Sequence, residues 1–287
     1  MSNIVLGSAT QQNLLALQSI NTQQQQTQNH LSTGLLVSSA VDDAVKYFQS
    51  QSLDNRASDL STRKDTIDQG ISSVTTATQG IQSAISILQQ LQGLVTAAKT
   101  QTATQRAAAA KQFTTLATQL NQLLNDASYQ GLNLINATSS KLSLQFSQSS
   151  NSTLKITGQN LLVSKSISGG LAVSKLVTGL AGVTFSTAVS GNKTSKFDVV
   201  YTALNNAIST FQAAAQSLGS NVSFLQTRLS FTEQYIATLQ DGANKLTVAD
   251  VNVESTNLVT LQTRQQLAIQ SLSIATQAEQ SVLRLFH

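Results

Sequence analysis

Proline, cysteine and tryptophan are absent from this 287-residue chain, and charge is scarce. Without proline, nothing forces a break in the i to i−4 hydrogen-bond ladder, so long uninterrupted helices are open to it. Without cysteine there is no disulfide, no thiolate nucleophile and no cysteine-ligated metal, and the redox compartment stays open. Only 10% of residues are charged, against about 25% in ordinary domains. Gln, Ser, Thr, Asn and Ala fill the polar positions instead. Weak self-repulsion lets many copies pack closely. No Lys or Arg precedes Lys46, and no early apolar run reaches signal-peptide length. A cleavable secretory signal is therefore not expected, and nothing approaches a transmembrane span. An extracellular destination would need an export route that leaves the N-terminus uncut.

The formal charge of +4 is unevenly placed. Residues 141–197 hold Lys141, Lys155, Lys165, Lys175, Lys193 and Lys196 and no acid, so the remainder nets −2. Nucleic-acid binding wants clustered basic residues with exposed aromatics or a recognition helix. These lysines stand singly among Ser and Thr, which reads as a solvated surface, and no nucleic-acid partner is expected. Chemistry is equally thin. His30 and His287 lie at opposite ends and form no metal cluster. Asp42-Asp43 is an adjacent acid pair without a matching base, better read as a helix start favoured by the macrodipole. The glycines fit neither G-x-G-x-x-G nor a phosphate loop. No catalytic, cofactor or metal site is expected, and the chain is not read as an enzyme.

What is present is periodicity. Leu204, Ile208, Phe211, Ala215, Leu218, Val222, Leu225, Leu229, Thr232, Ile236 and Leu239 step by four and three, an apolar seam with one polar lapse at Thr232. That 3.5-residue repeat asks for a long helix wound against others. Ile67, Ile71, Val74, Thr78, Ile81, Ile85 and Leu88 repeat the steps toward Val95, within a helix predicted from about Ala44 to Ala98. A third helix is predicted over about 104–125, with Phe113, Leu116, Leu120 and Leu123 on one side. Asp126 to Gly131 then reads as a turn. The period changes to two at Leu142, Leu144 and Phe146 and again at Leu154 and Ile156, a hairpin by pattern. Residues 158–196 read as irregular strands or loops.

The ends are weaker. Residues 21–30 carry no apolar anchor and read as a segment that is disordered or orders only on assembly, with Gly34 interrupting the helix. Asp241 to Asn244 reads as a break. A last helix carries Leu258, Leu261, Ala268, Leu272, Ala275 and Val282, with Gln265 and Glu279 intruding. The two ends read as each other's partners. The expected fold is mainly α: long antiparallel helices forming a coiled-coil rod, with a small β-hairpin-containing insert in the middle.

Specific strings add a family. His30-Leu31-Ser32-Thr33-Gly34-Leu35-Leu36-Val37-Ser38-Ser39-Ala40-Val41-Asp42-Asp43-Ala44 resembles the N-terminal signature of bacterial flagellin, S-[ST]-G-L-x-[IV]-x-S-A-x-D-D-A. Asp68-Gln69-Gly70-Ile71-Ser72 is similar to its N-D-G-I-S segment, and Ser128 to Ile135 to its F-N-G-x-x-L-L turn. Ala278 to Phe286 resembles its close, A-N-Q-x-x-x-x-V-L-x-L-L. The resemblance covers about 135 residues at the start and 90 at the end. Leu36 stands where many flagellins have Arg, which puts the usual polar contacts of the inner joint in doubt.

The resemblance implies an extracellular structural subunit, exported unfolded through the flagellar type III apparatus and polymerising beneath the filament cap. Implied partners are copies of itself, the export apparatus and a chaperone, and the cap and hook-junction proteins, without membrane insertion. It implies an inner helical domain from 1–43 and 244–287 and a rod domain from 44–140 and 197–243, with a solvent-facing β-rich segment at 141–196. The nearest alternative is the hook–filament junction protein. A secreted coiled-coil translocator or effector is more distant. Subunit-interface and assembly candidates are Leu14, Leu17, Leu31, Leu35, Asp42, Asp43, Leu88, Gln90, Leu225, Leu258, Leu272, Val282 and Leu285.

Gln90 is included because the family's face for an innate immune receptor resembles L-Q-R-x-x-E-L. Here the string is Leu88-Gln89-Gln90-Leu91-Gln92-Gly93-Leu94. Gln90 in place of Arg loses charge-assisted, bidentate contacts, and Gly93 in place of Glu loses a carboxylate. The monomer is expected to signal weakly in a receptor reporter assay, and the Gln90→Arg, Gly93→Glu double variant to signal more strongly. A strong parent signal, or no gain in the variant, would refute this face.

Overall fold

The computed structural model describes residues 8–147, 151–162 and 194–285. In chain order the elements are α1 (Ser8–Thr33), α2 (Ala44–Ala98), α3 (Ala103–Asp126), β1 (Lys141–Gln145), β2 (Thr153–Thr157), α4 (Thr194–Thr247) and α5 (Val251–Leu285). They divide into two compact units. One joins residues 1–58 with 236–287, and the other is the continuous stretch 59–235.

Within 59–235, α2 and α4 run antiparallel. Lys99 pairs with Asp198, Gln92 donates to Asn205, and Lys64 pairs with Glu233, so residue numbers fall on one helix as they rise on the other. Both predicted seams face inward. Leu204, Phe211, Leu218 and Leu225 are buried, while Ile208, Ala215, Val222 and Leu229 between them are half-buried. On α2, Ile67, Val74, Ile81 and Leu88 are buried, and Ile71, Thr78 and Ile85 are half-buried. Alternate full and partial burial is what a seam stepping by four and three produces against a partner. The polar lapse is absorbed locally: buried Thr232 donates its hydroxyl to the Arg228 carbonyl at 2.8 Å.

α3 closes the bundle with Phe113, Leu120 and Leu124. Its start is a capping box in which the Thr102 side chain accepts from the Gln105 amide and Gln105 Oε1 accepts from the Thr102 amide. Its end is held by buried Asn133, whose Nδ2 donates to the carbonyls of Leu124 and Asn125 at 2.8 and 3.0 Å. The Asn133 Oδ1 accepts from the amides of Ile135 and Asn136. Between them Tyr129 and Leu132 exchange backbone bonds across Gln130 and Gly131, both at positive φ, the tight hairpin turn that favours Gly.

The hairpin pairs Leu142 with Ile156 and Leu144 with Leu154. Two strands alone are marginal in water, so this pair depends on packing. Leu144, Phe146 and Ile156 are buried in the helical core. Leu144 lies so close to Gly70 that a Cβ there would stand 2.5 Å from its Cδ1. Lys141 and Lys155 face outward. The irregular segment expected after residue 158 lies, from 163 to 193, outside the described residues.

One reading needs correction. Asp241 to Asn244 does not break the chain, and α4 runs on to Thr247. Ala243 is buried, Gly242 stands at contact distance from Leu53, and Lys245 pairs with Asp241 one turn earlier. Packing overrides the weak helix propensity of Gly and Asn here. The break falls three residues later, where Asp250 Oδ1 accepts from the amides of Asn252 and Val253 and caps α5. The apolar-free tract 21–30, within the stretch read as a weakly held helix, is continuous helix in α1.

Leu225→Asp places a carboxylate where the parent side chain has no exposure, at a cost of several kcal/mol. It should lower the melting midpoint by roughly 10 °C or more, whereas Gln226→Asp, on the exposed side, should shift it little. Circular dichroism melts of the two variants check this. Equal midpoints would place the seam wrongly.

Candidate assembly interface

The other unit is built around α1 and α5, which also run antiparallel. Its seam mixes polar with apolar residues. On α1 the inward positions again step by three and four, but Thr10, Asn13, Gln24 and Thr27 occupy them alongside Leu17, Ile20 and Leu31. On α5 they are Glu254 and Gln265 among Leu258, Leu261, Ala268, Leu272 and Ala275. Thr10 is 1% exposed and Glu254 8%. Cross-helix bonds join Asn13 to Ser271 at 3.5 Å, Gln265 to Asn21 at 2.7 Å and His30 Nδ1 to Glu254 Oε1 at 3.4 Å. His30 is in the last turn of α1 and Glu254 in the first turn of α5, where helix dipoles favour a cation and an anion respectively.

Large apolar side chains face out instead. Among the described residues, the exposed large hydrophobics are all in this unit except Tyr201, Phe224 and Phe231. Leu14 and Leu15 on α1 and Val259, Leu267, Ile269 and Ile274 on α5 stand open, Leu15 at 64% and Ile274 at 62%. Val41, Val45 and Phe48 add a second exposed set at the start of α2.

The joint between α1 and α2 is stitched to the joint between α4 and α5. Gly34, at φ 71°, ends α1. The amides of Leu36 and Val37 then donate to the Thr247 carbonyl, Ala249 donates to the Gly34 carbonyl, and Leu35 bridges Val248. Asp42 Oδ2 accepts four bonds, from the amides and hydroxyls of Ser38 and Ser39, at 2.9 to 3.1 Å. Asp43 Oδ1 caps α2 by accepting from the Lys46 amide. The acid pair is thus a turn-holder followed by a cap, consistent with its reading as a helix start.

The proposed assembly residues therefore separate by environment. Leu17, Leu31, Leu258 and Leu272 sit in the α1–α5 seam, Leu14 is exposed, and Leu35 is in the bridge. Leu88 and Leu225 lie wholly inside the 59–235 core, where they hold one chain together and offer no surface. Gln90 is exposed beside an open groove of about 670 Å³ between α2 and α3, lined also by Gly93, Leu94 and Lys111. The side chains of Val282 and Leu285 lie outside the described residues. Sequence reasoning missed the outward apolar set and the polar seam of α1, because a heptad filled by Thr, Asn and Gln carries no hydrophobic signal.

Residues 4–140 match the bacterial flagellin N-terminal helical region and residues 201–286 the bacterial flagellin C-terminal helical region, so the chain belongs to the bacterial flagellin family. It is 39% identical to Flagellin A of Rhizobium meliloti over 98 residues, covering 34% of this chain and 25% of that protein. It is 35% identical to Flagellin FljK of Caulobacter vibrioides over 107 residues, covering 37% and 39%. The match thus spans about a quarter to two-fifths of the length of these relatives. A Vibrio parahaemolyticus structure presented as a flagellar hook-associated protein superposes with a TM-score of 0.63 at 13% identity, over 72% of this chain and all of that one. That likeness is one of fold. No helix among the described residues is long and apolar enough to cross a membrane.

The Ser38 hydroxyl, then the Ser38 amide and the two Ser39 donors, hold the Asp42 carboxyl below its ordinary value of 3.8. These bonds favour the ionised form, so their contribution is complete above that value and lost as acid protonates Asp42 at lower pH. The amide resonances of Ser38 and Ser39 should stay fixed from neutral pH down to the ordinary carboxylate range and move together below it. Asp42→Asn should show displaced resonances at every pH. Unchanged resonances in that variant would remove Asp42 from the turn.

Proposed function

We propose that this chain is a structural subunit that polymerises into the bacterial flagellar filament used for swimming. One observation carries the reading: the α1–α5 pair buries polar groups and exposes apolar ones. Burying each half-exposed Leu, Ile or Val against a neighbouring copy contributes on the order of 1 kcal/mol. Repeated along two helices and between many copies, that sum favours a polymer, while the pair alone has little to hold it. The scarcity of charge keeps repulsion between packed copies small. In this reading 1–43 and 244–287 form the inner domain, 44–140 and 197–243 the rod domain, and 141–196 faces solvent. The subunit works outside the cell and reaches it unfolded through the type III export apparatus. A chaperone, the filament cap and the hook-junction proteins are its transient partners.

The fold likeness to a hook-associated protein favours a second reading as hook–filament junction protein. The short segment between the hairpin and α4, together with sequence likeness to flagellins, supports the filament subunit over it. Electron microscopy of purified protein separates them. Long filaments are expected, and rings or monomers that add only to hook ends would establish the junction role. Leu15→Asp with Ile274→Asp should abolish filaments while leaving the 59–235 melting transition in place. Filaments of normal length from that variant would refute the embedded face.

A further inference from the structure

Hydrophobicity alone does not choose the register in which α1 and α5 pair. Counting outward from the three cross-helix bonds, Ile20 falls opposite Gln265, Leu31 opposite Glu254 and Leu17 opposite Ala268. Slide α5 by one heptad and Ile20 meets Leu272 while Leu31 meets Leu261. The slipped pair is the better apolar match. The slip, an axial shift of about 10 Å, would break these three side-chain bonds together with the backbone bonds that join residues 34–37 to 247–249. It would also leave the buried carboxylate of Glu254 without its imidazole.

We propose that Asn21–Gln265, flanked by His30–Glu254 and Asn13–Ser271, carries the register fixed at that joint along the terminal helix pair, while its apolar residues supply affinity without register. A polar contact within a helix seam is suited to this, since it penalises every misaligned pairing. The consequence rests on the filament reading above. With Asn13 level with Ser271, the exposed Leu15 of α1 stands level with the exposed Ile269 of α5. A slipped pair would present them out of step to the next copy.

The absence of native cysteine makes the test direct in the full chain. Leu17→Cys with Ala268→Cys reports the observed register, and Leu17→Cys with Ala275→Cys reports the one-heptad slip. In the parent background the first pair should oxidise readily and the second at less than about a tenth of that extent. Adding Asn21→Leu and Gln265→Leu should preserve or raise helicity and raise the slipped crosslink severalfold above its parent extent. The exchange Asn21→Gln with Gln265→Asn should restore the single register. The proposal is overturned if the parent forms the slipped crosslink freely, if it fails to form the in-register one, or if the double-Leu background still crosslinks only in register. Because crosslinking is read in single chains, a protein that keeps its register yet never polymerises would refute the filament role and leave the register assignment standing.

Discussion

The antiparallel seam of α2 against α4 is the contact on which the 59–235 unit depends. Its repeat alternates fully and partly buried apolar side chains on both helices. α3 completes that core with Phe113, Leu120 and Leu124. The connection after α3 is then constrained rather than free, because Asn133 satisfies the end of α3 and the start of the next turn with one amide. The hairpin is dependent in turn: Leu144 and Phe146 find a core only because the helices have already built one, and Gly70 leaves the room. Charge contributes little to any of this. The ion pairs Lys64–Glu233 and Lys99–Asp198 lie at the seam's margins, where exposed pairs are worth about 0–1 kcal/mol.

The terminal pair obeys the same 3.5-residue geometry with the opposite chemistry. Thr, Asn, Gln and Glu at inward positions satisfy one another or their own backbone but bury little apolar area, so pairing is weakly driven. Other large apolar residues, Leu14, Leu15, Val259, Leu267, Ile269 and Ile274, are turned outward. One sequence thus contains a bundle with its own apolar core and a helix pair that leaves many of its large apolar residues open. Both use the same low-charge vocabulary, and only the placement of Leu, Ile and Val against the heptad distinguishes them.

That difference decides what was legible beforehand. The α2 and α4 seams could be read because apolar residues recur at the buried positions, and α2 spans the expected 44–98 for that reason. The hairpin was readable because alternation at Leu142, Leu144 and Phe146 coincides with one buried face. α1 was legible only as a weakly held helix, since a heptad of Thr10, Asn13, Gln24 and Thr27 looks like a polar tract until its partner is in place. The end of α4 was misplaced because Gly242 and Asn244 are ordinary helix breakers, and only contact with α2 at Leu53 shows why they do not break this one. Among the assembly residues, Leu88 and Leu225 were chosen for periodicity, and periodicity marks what is buried inside a chain as readily as what is buried between chains.

The strings that carry the family resemblance have a physical reading that is separate from assembly. From His30 to Ala44 nearly every polar position has a task within the chain. Gly34 supplies the left-handed backbone that ends α1, and Leu35 to Val37 lie against the α4–α5 joint through backbone bonds. Ser38 and Ser39 converge on Asp42, and Asp43 caps α2. The signature therefore encodes a chain reversal whose parts are mutually dependent: removing the carboxylate frees two amides and two hydroxyls at once. An exposed face such as Gln90 and Gly93 has no such internal dependence, since a Cβ at Gly93 would meet nothing within 4 Å. Substitution there alters what the surface offers to others while the fold beneath is unaffected. Strings that identify the family and surfaces that set its contacts are thus under different physical constraints in this chain, and the first can be intact where the second has changed.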